Sequence, residues 1–80
     1  MWHEGTILAP TKEGKTVVHY WAKVYDEGSE WGINEGRVSK LWISKDGKTV
    51  CNYDRGWDIE PKKGSDAEKA MQQVLEMYKG

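Results

Sequence analysis

The sequence has no phenylalanine, one cysteine, two prolines and no long apolar run. Each scarcity excludes something. With Cys51 alone, no internal disulfide can form, and a lone thiol fits a reducing compartment. No stretch approaches the ~18 consecutive apolar residues of a membrane-spanning helix. Neither end carries a signal-peptide or lipidation pattern. The expected location is the cytoplasm, with no membrane contact. Charge of one sign is also lacking: the formal net charge is −1. That argues against a general nucleic-acid binder held mainly by phosphate neutralisation.

Chemical motifs are equally scarce. The glycines are scattered, and none opens a helix in a P-loop or dinucleotide pattern. His3, His19 and Cys51 are the soft-ligand candidates, but no CxxC, HxxxH or HExxH spacing joins them. In the expected first hairpin His3 and His19 point to opposite faces, so no metal site is expected. No nucleophile converges with a base and an orienting acid. Cys51 falls mid-strand, and Ser39 and Ser44 have no histidine nearby in the expected sheet. No cofactor is implied.

What the chain does have is tryptophan and tyrosine, five of one and four of the other. Every aromatic ring therefore carries a polar N–H or O–H, which suits half-buried positions and interfaces. The plainer reading is that a thin domain fills a small core with large rings. At 80 residues the chain makes one domain, residues 1–80. A domain this small buries only roughly 60–65% of its unfolded surface, so a staple or self-association is a common remedy.

The stretch from Gly36 to Trp57 organises the reading. Two β-rich runs, Arg37 to Lys45 and Lys48 to Arg55, flank Asp46-Gly47. Asp-Gly is a strong hairpin signal, because a type I′ turn needs positive φ at both central residues. A regular ladder then sets Lys45 opposite Lys48, Ile43 opposite Val50, Trp42 opposite Cys51, and Lys40 opposite Tyr53. Leu41, Ile43 and Val50 share one face, read as core. Lys40, Trp42, Cys51, Tyr53 and Arg55 share the other, an aromatic and basic surface.

Upstream, Trp2 to Leu8 reads as a strand, Pro10 to Gly14 as a polar turn, and Lys15 to Tyr25 as the longest strand. Their pairing would bring Gly5 beside Tyr20, whose ring covers the gap. The longest strand is apolar on both faces: Val18, Tyr20, Ala22 and Val24 against Val17, His19, Trp21 and Tyr25. One helix cannot cover both, so one face is expected to meet a partner or a second copy. Asp26 to Gly36 reads as a loop that Trp31 and Ile33 pin to the body. The alternative is an exposed Trp31 that enters a partner's pocket. After the hairpin, Gly56 marks a bend, Trp57 and Ile59 continue the edge, and Pro61 stops it.

Ser65-Asp66-Ala67-Glu68 is a capping box. Ser65 accepts from the N3 amide, and Glu68 reaches back to the cap amide. A helix follows over about 66–78, with Ala67, Ala70, Met71, Val74, Leu75 and Tyr78 in one apolar stripe. Asp66 and Glu68 at its start and Lys79 at its end suit the helix dipole. The expected fold is α+β: a four-stranded antiparallel β-meander over about 2–60 with one C-terminal α-helix packed on one face (β-β-β-β-α).

Three segments, Trp31 to Trp42 (WGINEGRVSKLW), Asn52 to Asp58 (NYDRGWD) and Ala22 to Glu27 (AKVYDE), resemble a family of short uncharacterised proteins of Firmicutes-type bacteria and their phages. The resemblance covers the middle of the chain and the start of the helix. It implies an accessory protein of a mobile element or host cell, and it transfers no catalytic or binding residues. The turn from Pro10 to Gly14 departs from it, looking longer than the tight first turn expected of the family.

The residues support a small non-enzymatic binding or regulatory protein. It would use the sheet face opposite the helix, through Lys40, Trp42, Tyr53, Arg55 and Trp21, to meet a protein partner or form a homo-oligomer. An alternative is single-stranded nucleic-acid binding on the same face, with rings stacking bases and cations holding phosphates. A weaker alternative is an enzyme with an acidic Asp54, Asp58 and Glu60 site. Those carboxylates also read as an Asx turn and as edge charges that discourage aggregation.

Overall fold

A computed structural model describes residues 1–79, and among them one sheet and one α-helix are formed. The strands are β1 (Trp2–Thr11), β2 (Gly14–Val24), β3 (Val38–Lys45), β4 (Lys48–Asp54) and β5 (Trp57–Ile59), followed by helix α1 (Asp66–Met77). Each strand pairs antiparallel with the next, in the spatial order β1-β2-β3-β4-β5. The α+β meander with a C-terminal helix is therefore present, but with five strands instead of four. The extra strand comes from Arg55, whose φ of 59° turns the chain back after Asp54. Tyr53 then pairs with Trp57, and Asn52 with Ile59.

The first hairpin is tighter than its residues suggest. β1 continues through Pro10 to Thr11, and Thr11 pairs with Gly14 across Lys12 and Glu13. Proline is tolerated because β1 is an edge strand, where one side of the backbone has no ladder partner. Gly5 lies opposite Tyr20, and a Cβ placed there would stand 3.4 Å from the Tyr20 ring. The expected cover of the glycine by that ring is found.

At the second hairpin, Asp46 (φ 53°) and Gly47 (φ 77°) both take the left-handed conformation, as a type I′ turn requires. The regular ladder expected beyond it does not hold. Lys45 pairs with Lys48 and Ser44 with Thr49, but Ile43 then pairs with Cys51. Val50 is the extra residue of a β-bulge. A bulge adds one residue to one strand and so inverts every face that follows. Trp42 thus lies opposite Asn52, Leu41 opposite Tyr53, and Lys40 opposite Asp54. Cys51 and Tyr53 move to the core face.

That face carries Val18, Tyr20, Ala22 and Val24 from β2, Leu41 and Ile43 from β3, and Cys51 and Tyr53 from β4, all buried. α1 lies over it through Ala70, Met71 and Val74, with Leu75 and Tyr78 packed alongside. Burying an aliphatic side chain contributes about 1.5–3 kcal/mol, so this stripe anchors the helix. Ser65 caps α1 by accepting from the Glu68 amide at 3.2 Å. The Glu68 carboxylate accepts from the Gly64 amide at 2.9 Å, one residue before the cap, instead of from Ser65. At the far end the Tyr20 and Tyr78 hydroxyls share a hydrogen bond of 2.8 Å.

The long connection after β2 folds into a compact loop with one 3-10 turn over Ile33–Glu35. Ile33 is buried and pins it, as expected. Trp31 does not pin it by its ring, which is exposed; its backbone carbonyl does, accepting from the Tyr53 hydroxyl at 2.8 Å. Glycine is required at position 32, because a Cβ there would stand 2.0 Å from the Gly36 carbonyl oxygen.

Candidate functional site

The face opposite α1 is the candidate site, and alternation along paired strands determines its membership. Trp2, Glu4, Thr6 and Leu8 from β1 stand beside Lys23, Trp21, His19 and Val17 from β2. Trp42 and Lys40 from β3 follow, then Asn52 and Asp54 from β4, and Ile59 from β5. Among the described residues no element covers these side chains. Val17 is 60% exposed, Trp2 57% and Trp42 47%. The both-sides apolar pattern of β2 is thereby resolved: α1 covers one side and the other is open.

The exposed rings are organised. His19 stacks on Trp21 at 4.2 Å, and Trp21 tilts against Trp42 at 5.1 Å. The Trp42 indole N–H donates to the Thr49 hydroxyl at 2.7 Å, fixing the ring's direction. The Lys23 ammonium lies 5.9 Å from the Trp2 ring and 5.5 Å from the Tyr25 ring, within cation–π range. Lys40 approaches Asp54 at 3.5 Å, and His19 contacts Glu4 at 2.8 Å. Charge of both signs is therefore distributed among the rings. Trp2, Trp21 and Trp42, with Lys40, Asn52 and Asp54, also border a shallow depression of about 190 Å³.

Of the residues expected on this face, Lys40, Trp42 and Trp21 are present. Tyr53 is not: the bulge at Val50 turns it into the core, where it is 8% exposed and meets Trp57 edge-on at 4.9 Å. Cys51 is likewise buried, and desolvation pushes its thiol up to about 12, so it is neither a nucleophile nor a surface ligand. Arg55 leaves the sheet at the β4–β5 turn and stands apart from the Trp21–Trp42 pair, at a recess with Tyr25 and Ser39. Trp2 is the member that the residue pattern left out. Its place follows from the tight Lys12-Glu13 turn, which sets it opposite Lys23.

The acidic residues after the second hairpin lie along the β4–β5 edge. Asp54, Asp58 and Glu60 are all exposed, and Asp54 is taken up by Lys40. Asp58 sits at the irregularity between the two β4–β5 pairs. Among the described residues no group of three His, Cys, Asp or Glu side chains is placed to hold a metal ion. His3 and His19 lie on opposite faces, the former against Tyr78 and the latter against Trp21. No helix among the described residues is long and apolar enough to cross a membrane.

A five-stranded antiparallel meander with one terminal helix behind it, and an open aromatic face in front, defines a small α+β protein. The chain belongs to a family described as a domain of unknown function, DUF7678, whose model matches residues 1–79. The match extends well beyond the central segments that carry the resemblance. No curated protein and no solved structure is significantly similar to it.

Proposed function

We propose that this protein is a non-enzymatic binding module whose open sheet face associates with protein, and that its first occupant is a second copy of the chain. One observation carries the reading. Trp2, Leu8, Val17 and Trp42 are exposed together on one continuous face, backed by the half-buried Trp21. Isolated exposed apolar residues are ordinary, but several on one uncovered face, around a packed Trp21–Trp42 pair, favour an interaction surface. Tryptophan is also the residue most enriched where binding energy concentrates.

Two features favour a second copy. A two-fold interface is self-complementary, and this face carries both Lys23 and Lys40 and both Glu4 and Asp54. With a net charge of −1, two copies repel each other little. Two such sheets packed face to face, about 10 Å apart, would bury the rings between them in sandwich fashion. An origin in a bacterium or its phage and a cytoplasmic location belong to the same proposal, and the lone buried thiol of Cys51 supports a reducing compartment.

Sedimentation equilibrium over a wide concentration range tests the reading. The expected result is reversible dimerisation that weakens at least ~10-fold in Trp42→Ala, since buried interface tryptophans exceed about 1.4 kcal/mol. A monomer at every concentration, or an unchanged dimer in the variant, counts against it. The tilted Trp21–Trp42 pair beside Lys40 also supports a second reading, single-stranded nucleic-acid binding. That reading requires oligonucleotide affinity that falls steeply with salt.

A further inference from the structure

A recess of about 360 Å³ opens at the corner of the sheet where β2 ends, β3 begins and β4 turns into β5. Tyr25, Ser29, Trp31, Ser39 and Arg55 line it. Its size falls within the range of small-molecule sites, roughly 300–1,000 Å³.

One atom in it is out of place for a purely structural corner. Ser39 is 4% exposed, yet its hydroxyl makes no well-formed hydrogen bond, the Tyr25 phenol being the polar group beside it. Buried polar groups are nearly always paired, so a hydroxyl without a well-formed bond on the wall of a recess points to a missing ligand. The second observation is the character of the lining. The polar side-chain groups of its lining residues are hydroxyls, one indole N–H and one guanidinium, and no carboxylate is among them. The Arg55 backbone is held at φ 59°, and its amide donates to the Ser39 carbonyl at 3.1 Å. That bond ties the arginine's backbone to Ser39. Among the described residues Arg55 makes no ion pair, unlike neighbouring Asp54, which approaches Lys40. Hydrogen bonding from Lys23 is the largest cause of a Tyr25 phenol pKa below its usual value, and Ser39 and the Arg55 charge act in the same sense.

We propose that this recess binds a small ligand bearing an oxyanion on a planar ring, either a carboxylate or a phosphate ester. The Arg55 guanidinium takes the oxyanion, as its planar fork suits either group. The Ser39 hydroxyl donates to the same anion and gains the well-formed bond it lacks. The rings of Trp31, which is 57% exposed, and Tyr25 flank the planar part. This goes beyond protein association, because neither Ser39 nor Arg55 belongs to the Trp2, Trp21 and Trp42 stripe.

The test is an NMR titration of the full chain with phenyl phosphate, benzoate and inorganic phosphate. It follows the Arg55 side-chain N–H and the Trp31 indole N–H. Saturable shifts of both signals are expected with at least one ring-bearing probe. Phenyl phosphate alone would assign a phosphate ester, and benzoate would assign a carboxylate. Arg55→Gly keeps the left-handed turn while removing the cation, and it should weaken binding more than ~10-fold, as loss of charged hydrogen bonds does. Ser39→Ala should weaken binding about 5-fold, one hydrogen bond's worth, without lowering the melting temperature. A merely structural serine would lower it. The proposal is overturned by no saturable shift with any probe, by full binding in Arg55→Gly, or by inorganic phosphate binding as tightly as the ring-bearing probes.

Discussion

Replacing Tyr53 by phenylalanine deletes one oxygen atom and interrogates the bulge at Val50. With the bulge, the ring is buried and the hydroxyl donates to the Trp31 carbonyl at 2.8 Å. Without it, the ring would stand on the open face with its hydroxyl in water. The lost bond contributes about 1 kcal/mol. The bond is part-buried, not fully buried, which holds the cost near that value. For a domain of this size, 1 kcal/mol lowers the melting temperature by roughly 4–8 °C. Thermal unfolding followed by circular dichroism measures it. Hydrogen exchange gives an independent reading, because the same bond ties the loop after β2 to β4. Amides such as those of Gly32 and Glu35, which bond within the loop, should exchange faster in the variant. An unchanged melting temperature with unchanged loop exchange would refute the inward placement of Tyr53.

Other outcomes follow from the same geometry. Trp42→Ala should cost the monomer only about 1 kcal/mol in chemical denaturation, as the ring is half exposed and loses its contact with Trp21 and a solvent-exposed hydrogen bond to Thr49. Gly32→Ala should cost about 2 kcal/mol or more in the same assay, because the added methyl meets the Gly36 carbonyl at 2.0 Å. Cys51 should resist alkylation until the protein unfolds, since its thiol is buried and pushed up to about 12. The same shift has a pH consequence. A folded-state pKa raised from 9.0 to about 12 favours the neutral thiol, so stability should fall as pH climbs from about 9 towards 12. Cys51→Ala should remove that part of the alkaline loss, while Tyr78, also pushed up to about 12, keeps its own from about 10 upward.

The Asp46-Gly47 turn and the Ser65 cap were legible because each rests on a local rule, positive φ for one and an unpaired amide for the other. The helix stripe was legible for a similar reason: a 3.6-residue period survives small errors at its ends. The bulge at Val50 was not legible. Val50, Cys51 and Tyr53 are all acceptable on a buried or a half-buried face, so alternation alone does not reveal where it inverts. Three residues assigned to the open face changed sides or place: Cys51 and Tyr53 went into the core, and Arg55 went to the turn that makes β5. β5 itself, Trp57–Ile59, is too short for periodicity to identify. Trp2 was overlooked although the expected pairing of Gly5 with Tyr20 already sets it opposite Lys23, because the face was read from β2, β3 and β4 alone. The open face as a whole was foreshadowed by β2, whose apolar residues occur on both sides of the strand.

The central claim is that the face bearing Trp2, Trp21 and Trp42 is where copies of this chain meet. Isotope-filtered NMR on a mixture of labelled and unlabelled protein tests it most directly, because it records only contacts between molecules. The account predicts intermolecular contacts from Trp2, Leu8, Val17 and Trp42, and none from the outer surface of α1. Contacts that run through α1, or none at millimolar concentration, would contradict it.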